Sequence, residues 1–181
     1  FEWDGEVMRV LKGTFRIARF RPNQREALNT TISGRDCFVI MPTGGGKSLI
    51  YQLAAIIRRG FSVVVSPLLS LIQDQVSQLR DLGIPAEQLN STNSKEDKKR
   101  IFGLLKDGGG DGRMKLVYVT PELVSSSKRF MSYLEKAYNN NRLDRIVIDE
   151  AHCCSQWGHD FRPDYKKLGL LRQQMPDVPI L

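Results

Sequence analysis

Apolar residues recur along this chain in two rhythms, one helix-like and one strand-like. Within residues 1–19, Val7, Val10 and Leu11 fall at helical spacing, and a loop follows. Pro22 suits a helix start, Gln24 to Ile32 reads as a short helix, and Ser33-Gly34 ends it. Asp36 to Met41 is short, apolar and without clear alternation, the pattern of a strand covered on both faces. Leu49 to Ile57 returns to a helical run, closed by Arg58, Arg59 and Gly60. Phe61 to Val65 is a second strand, broken by Ser66-Pro67. Ile72, Val76 and Leu79 share one face of a helix over Leu69 to Leu82, which Gly83 ends. Ala86 to Asn90 reads as a short strand, and Lys95 to Lys106 as a charged helix with Ile101, Leu104 and Leu105 inward. Asp107 to Gly112, DGGGDG, is expected to be flexible. Leu116 to Val119 is a strand closed by Thr120-Pro121, and Phe130, Leu134 and Ala137 mark a further helix. Arg145 to Ile148 is a strand ending in Asp149-Glu150, and Pro179 to Leu181 begins another. Strands alternating with helices predict an α/β fold, a parallel sheet with helices on both faces.

Composition narrows the class. Apolar residues at 41% and charged residues at 26% fit an ordinary globular domain, and 181 residues suit one. No apolar run reaches the roughly eighteen residues of a membrane span, so no membrane partner is expected. The N-terminus is too charged for a signal peptide and lacks an initiating Met, so the chain reads as part of something longer. Three cysteines, two of them adjacent (Cys153, Cys154), fit reduced thiols in an intracellular protein, with Cys37 as a small core residue. Net charge is +7, and residues 92–145 hold twelve Lys/Arg against seven Asp/Glu. That field suits a polyanion such as nucleic acid, or is simply a basic solvated surface.

The candidate chemistry lies in two places. Met41, Pro42, Thr43, Gly44, Gly45, Gly46, Lys47 and Ser48 sit between a strand-like and a helix-like run. Glycines let backbone N–H groups approach phosphates, and the next helix points its positive end at them. Lys47 reaches the terminal phosphates and Ser48 can ligate Mg²⁺. Met41 stands where the P-loop pattern has glycine; the alternative is a plain strand-to-helix turn. Asp149 and Glu150 end a strand on the sheet edge where ligands bind. Asp149 would face the Mg²⁺, and Glu150 would orient or deprotonate a water. Together these residues suit a hydrolase of nucleoside triphosphates.

The run DEAH (Asp149 to His152), with FRPNQ, MPTGGGKS, SPLLSLIQDQ and VYVTPE before it, resembles the first motor domain of superfamily 2 helicases. The following CCSQWGHDFRPDYKKLG narrows the resemblance to the RecQ family of DNA helicases, of a short eukaryotic type. In the helicase form of the loop, Thr43 and the three glycines carry the turn. The resemblance implies a RecA-like domain over 20–181, preceded by a helical lead-in over 1–19. It implies ATP and Mg²⁺ as cofactors, and Arg21 and Gln24 as the adenine-recognising pair, with Ile17 where the family often has an aromatic residue. It further implies DNA contacts at Ser66, Ser70 and Asn90, and at Thr120-Pro121-Glu122.

Ser155 to Tyr165 resembles the family's aromatic-rich loop. There Trp157, Phe161 and Arg162 would stack on and attract unpaired bases, with His152 and Gln156 as intermediate contacts and Tyr165 in packing. Without the resemblance, Trp157 reads equally as part of an aromatic core. Implied partners are single-stranded and duplex DNA and a second RecA-like domain of the same parent chain, which would supply arginines for the γ-phosphate. The implied activity is 3′ to 5′ unwinding in repair or recombination, in the nucleus. Weak nucleotide binding and little turnover are expected of the 181 residues alone. The competing readings are an RNA helicase of the same superfamily and a non-enzymatic nucleic-acid-binding module.

Overall fold

The computed structural model describes residues 1–155 and 161–181. At its centre is strand β1 (Phe61–Val65), all five residues buried. It pairs in parallel with β3 (Leu116–Val119) and β4 (Leu143–Ile148), and β3 pairs with β2 (Ala86–Leu89), giving the order β2-β3-β1-β4. Every strand is short, and the central β1 and β3 are almost wholly apolar and fully buried because both sheet faces are covered. Phe61, Val63 and Val65 face helices α5 (Lys95–Lys106) and α7 (Lys128–Asn139). Val64, Leu116, Tyr118 and Val147 face α3 (Lys47–Ile57) and α4 (Leu69–Asp81). Helices α1 (Asp4–Gly13) and α2 (Gln24–Ile32) pack on α3 through Val7, Val10, Leu11, Leu28 and Ile32. Short helices α6 (Pro121–Ser126), α8 (Pro163–Lys166) and α9 (Gly169–Gln174), with a 3-10 turn over Ala151–Cys154, complete the described elements.

Two expectations differ. Asp36 to Met41 does not form a ladder. Cys37 N–H donates to Ile180 O at 3.0 Å, and residues 179–181 run beside β4 through bonds such as Leu181 N to Ile146 O. Cys37, Val39 and Met41 lie against α3, whereas Phe38 is 79% and Ile40 83% exposed. The run therefore alternates, with one face covered, and Cys37 is half-buried rather than core. The Ile180 N–H and Arg172, all at 2.8 Å, hold Asp36 at its start; the Ile180 N–H, then Arg172, keep its carboxyl below its ordinary value.

The DGGGDG stretch is a packed turn rather than a loose loop. Gly108 N–H and Gly109 N–H return to Leu105 O and Leu104 O at 3.1 and 2.8 Å. Gly108 to Gly110 are buried, and a Cβ at Gly108 would meet the Arg142 side chain at 2.6 Å. The glycines here serve close packing with φ near +60 to +90° rather than flexibility.

Candidate functional site

The loop before α3 has the geometry a phosphate seat needs. Gly44 and Gly46 have φ of +77° and +89°, and Gly46 is the residue that starts α3. Gly45 N–H turns back to Pro42 O at 2.8 Å, while a Cβ at Gly46 would lie 2.2 Å from Gln24 Nε2. The free N–H groups at the start of α3 and its dipole face the loop's concave side. Lys47 Nζ rests on Met41 O at 3.3 Å.

Helix α2 sets the rim. Gln24, 3% exposed, accepts from Arg21 N–H at 2.8 Å and donates to Gly46 O at 3.0 Å. Arg21 donates to Gly44 O. Arg21 and Gln24 thus both touch the loop itself. With Ile17, Arg19 and Gly44 to Ser48 they line a cavity of about 440 Å³. A larger cleft of about 840 Å³ joins it at Lys47 and is lined by Met41, Tyr51, Asp149, Glu150 and His152.

Strand β4 delivers the carboxylates to that cleft. Asp149 N–H donates to Val65 O at 2.9 Å, and Tyr165 Oη donates to Asp149 O at 2.8 Å, so the backbone is pinned from two sides. Asp149 Oδ1 accepts from Glu150 N–H at 3.0 Å. Burial, then the Glu150 charge, raise the Asp149 carboxyl above its ordinary value; Lys47 and His152 partly offset this. Glu150 sits in left-handed backbone, φ 55° and ψ 45°, a conformation a non-glycine residue adopts at a cost. Its Oε2 lies 3.3 Å from His152 Nδ1.

Among the described residues no group of three or more His, Cys, Asp or Glu gathers into an all-protein metal cage. Asp149 and Tyr51 line the larger cleft and Ser48 the smaller one, and Lys47 lines both. Two hard oxygen donors beside phosphates fit Mg²⁺, which keeps waters and phosphate oxygens in its shell.

The residues expected on a DNA path are less uniformly placed. Ser70 is exposed in the first turn of α4. Ser66 is buried, its N–H bonded to Val119 O at 2.9 Å. Asn90 is also buried, and its Oδ1 accepts from Thr92 N–H at 2.9 Å, closing a local turn. Thr120 caps α6, accepting from Leu123 N–H at 3.4 Å. Phe161 is half-buried with Lys166 Nζ 5.6 Å from its ring centre. Arg162, also half-buried, bonds through its N–H to Cys153 O at 3.0 Å. Gln156 and Trp157 lie outside the described residues.

The family model of the DEAD/DEAH box helicases matches residues 21–180. The chain belongs to this family. Across its full length the helicase chain is 57% identical to ATP-dependent DNA helicase Q-like 2 of Arabidopsis thaliana. It is 50% identical to ATP-dependent DNA helicase Q1 of Rattus norvegicus and 45% to ATP-dependent helicase SGS1 of Saccharomyces cerevisiae. Over its whole length the chain is thus 45–57% identical to these RecQ-family helicases. It spans 25%, 29% and 12% of them. In fold it is similar to the Pyrococcus furiosus Hef helicase domain, with a TM-score of 0.58 at 20% identity over 88% of this chain and 31% of that one. It is also similar to the helicase MrfA, solved bound to DNA, with a TM-score of 0.66 at 19% identity over 98% and 29% of the two chains. Two positions had no signal of their own in the sequence: Tyr165 as the anchor of the Asp149 backbone, and Gln75, which bonds Ser48.

Proposed function

We propose that this chain is the first motor domain of a RecQ-type, ATP-dependent DNA helicase of the short eukaryotic type. In this reading residues 20–181 form the RecA-like unit and 1–19 its helical lead-in. The observation that carries it is the meeting of Lys47, Asp149 and Glu150 in one cleft beside the Arg21–Gln24 rim, in a chain similar end to end to proteins named DNA helicases.

Adenine enters the smaller cavity against Ile17 and Arg21, with Gln24 presenting its remaining N–H and lone pair to the base edge. The triphosphate lies over Gly44 to Ser48, and Lys47 offsets its charge. Ser48 and Asp149 would hold Mg²⁺, which would supply charge neutralisation on the terminal phosphates. Glu150 accepts the proton of the attacking water as the water oxygen bonds to the γ-phosphorus and the bond to the ADP oxygen breaks. His152, 3.3 Å from the Glu150 carboxylate, links it in sequence to residues 155–165, so DNA bound there would act on the water-activating group through it. Arginines of a second RecA-like domain complete the charge stabilisation. In this reading Ser70, Phe161 and Arg162 contact single-stranded DNA drawn from a duplex, with Trp157 as a further contact implied by the resemblance, in repair or recombination in the nucleus.

ATP hydrolysis by a longer protein carrying this chain and a second motor domain tests the reading. Single-stranded DNA is expected to stimulate turnover well beyond RNA of equal length. Equal or greater stimulation by RNA, or none by DNA, would overturn it.

A further inference from the structure

Helices α3 and α4 meet through apolar side chains, Tyr51 and Ala55 on one and Ile72, Val76 and Leu79 on the other. A polar contact interrupts this seam beside the phosphate seat. The Tyr51 hydroxyl donates to Gln75 Oε1 at 2.9 Å, and Gln75 Nε2 donates to Ser48 Oγ at 3.3 Å. Tyr51 is 3% exposed and held by packing. Its hydroxyl proton is committed to Gln75. With the amide oxygen taken by that donor, its NH₂ end is the one presented to Ser48. A hydroxyl oxygen has two lone pairs. One accepts from Gln75, which leaves the other for a cation and turns the Ser48 proton away from Gln75.

We infer that Gln75 is a positioning residue that presets the Ser48 hydroxyl for Mg²⁺–nucleotide and ties it mechanically to α4. The inference rests on the ATP and DNA reading of the site. Ser70, exposed in the first turn of α4, precedes Gln75 by five residues, about 7.5 Å along the helix axis. A helix shifts as a unit, so a DNA phosphate that displaces the start of α4 changes the Gln75–Ser48 contact directly. The coupling is reciprocal: Mg²⁺–nucleotide on Ser48 alters how α4 meets the strand.

The test measures the affinity of the two-domain protein for a fluorescent ADP analogue, with Mg²⁺ or with EDTA, and with or without a single-stranded oligonucleotide. Gln75→Leu is expected to lose about 5–10-fold of the Mg²⁺-dependent gain and to bring the DNA-dependent ratio close to one. Its EDTA affinity and its nucleotide-free DNA affinity stay as in the parent. Tyr51→Phe, which releases the amide to rotate, gives a smaller loss in the same direction. If Gln75→Leu keeps both ratios, the inference is wrong while the ATP and DNA reading stands. An equal loss in EDTA marks a general structural role and also overturns it. If the parent itself shows neither a Mg²⁺ nor a DNA effect, the underlying reading fails first.

Discussion

Gly46 carries two constraints at once, a φ of +89° and a side chain, Gln24, where a Cβ would stand. Gly46→Ala is expected to cost about 1–2 kcal/mol from the left-handed backbone alone. The overlap with Gln24 adds to that and pulls α2 from the loop. Thermal unfolding reads the first effect, and titration with a fluorescent nucleotide reads the loss of binding. Glu150→Gln keeps shape and removes the proton acceptor. Turnover by the two-domain protein is expected to fall about 10²–10⁴-fold with ATP binding retained; turnover that survives means another base acts.

Asp149 carries a pH signature. Its carboxyl is raised in the folded state, so ionisation at neutral pH works against folding. The stability this group contributes is full below the ordinary carboxylate value of 3.8 and is lost as pH rises through the higher folded value. Asp149→Asn is therefore expected to be more stable than the parent at pH 7, by about 0.5–2 kcal/mol. The gain should shrink as both are acidified, and thermal midpoints at pH 7 and at acid pH check this. The P-loop, Asp149 and Glu150 were all legible as residues, because local backbone needs select those residue types at those spacings. The burial of Ser66 and Asn90 was not, because a hydroxyl or amide in a turn reads alike whether it faces solvent or neighbouring backbone.

At the level of elements, Glu87 on β2 joins three segments. Arg80 of α4 reaches it at 2.8 Å, and Arg100 of α5 binds it with both nitrogens at 2.6 and 3.0 Å. The carboxylate is mostly buried, while both arginines are about half exposed. Glu87→Ala is expected to cost about 1–2 kcal/mol, the arginine exposure keeping it from the top of the range for charged hydrogen bonds. The midpoint of urea unfolding would show it. Helices were read closely from the chain: Lys95 to Lys106 and Gln24 to Ile32 appear with those bounds. A helix closes its hydrogen bonds within itself, so its sequence carries its limits. Strands do not. Asp36 to Met41 has the apolar content of a strand, but its ladder depends on a neighbour remote in sequence, and only Cys37 finds one. Gly108 to Gly110 likewise looked flexible until Arg142 and Phe61 closed over them.

For the whole molecule, Lys47, Asp149 and Glu150 line one cleft. The 181 residues alone are expected to bind nucleotide weakly and to hydrolyse ATP little, with or without DNA. Adding the second motor domain should restore DNA-stimulated turnover, and steady-state phosphate release distinguishes the two. Robust DNA-stimulated hydrolysis by the 181 residues would show that no outside arginine is needed. The sequence by itself determined the α/β alternation, the phosphate loop with its glycines, and the paired carboxylates. Each follows from local backbone geometry and the chemistry of adjacent residues. The tertiary structure alone decided the strand order β2-β3-β1-β4, the single covered face of residues 36–41, and the seating of Gln24 on Gly46 and Gln75 on Ser48. Those contacts join residues more than twenty positions apart, and only packing brings such residues within hydrogen-bonding distance.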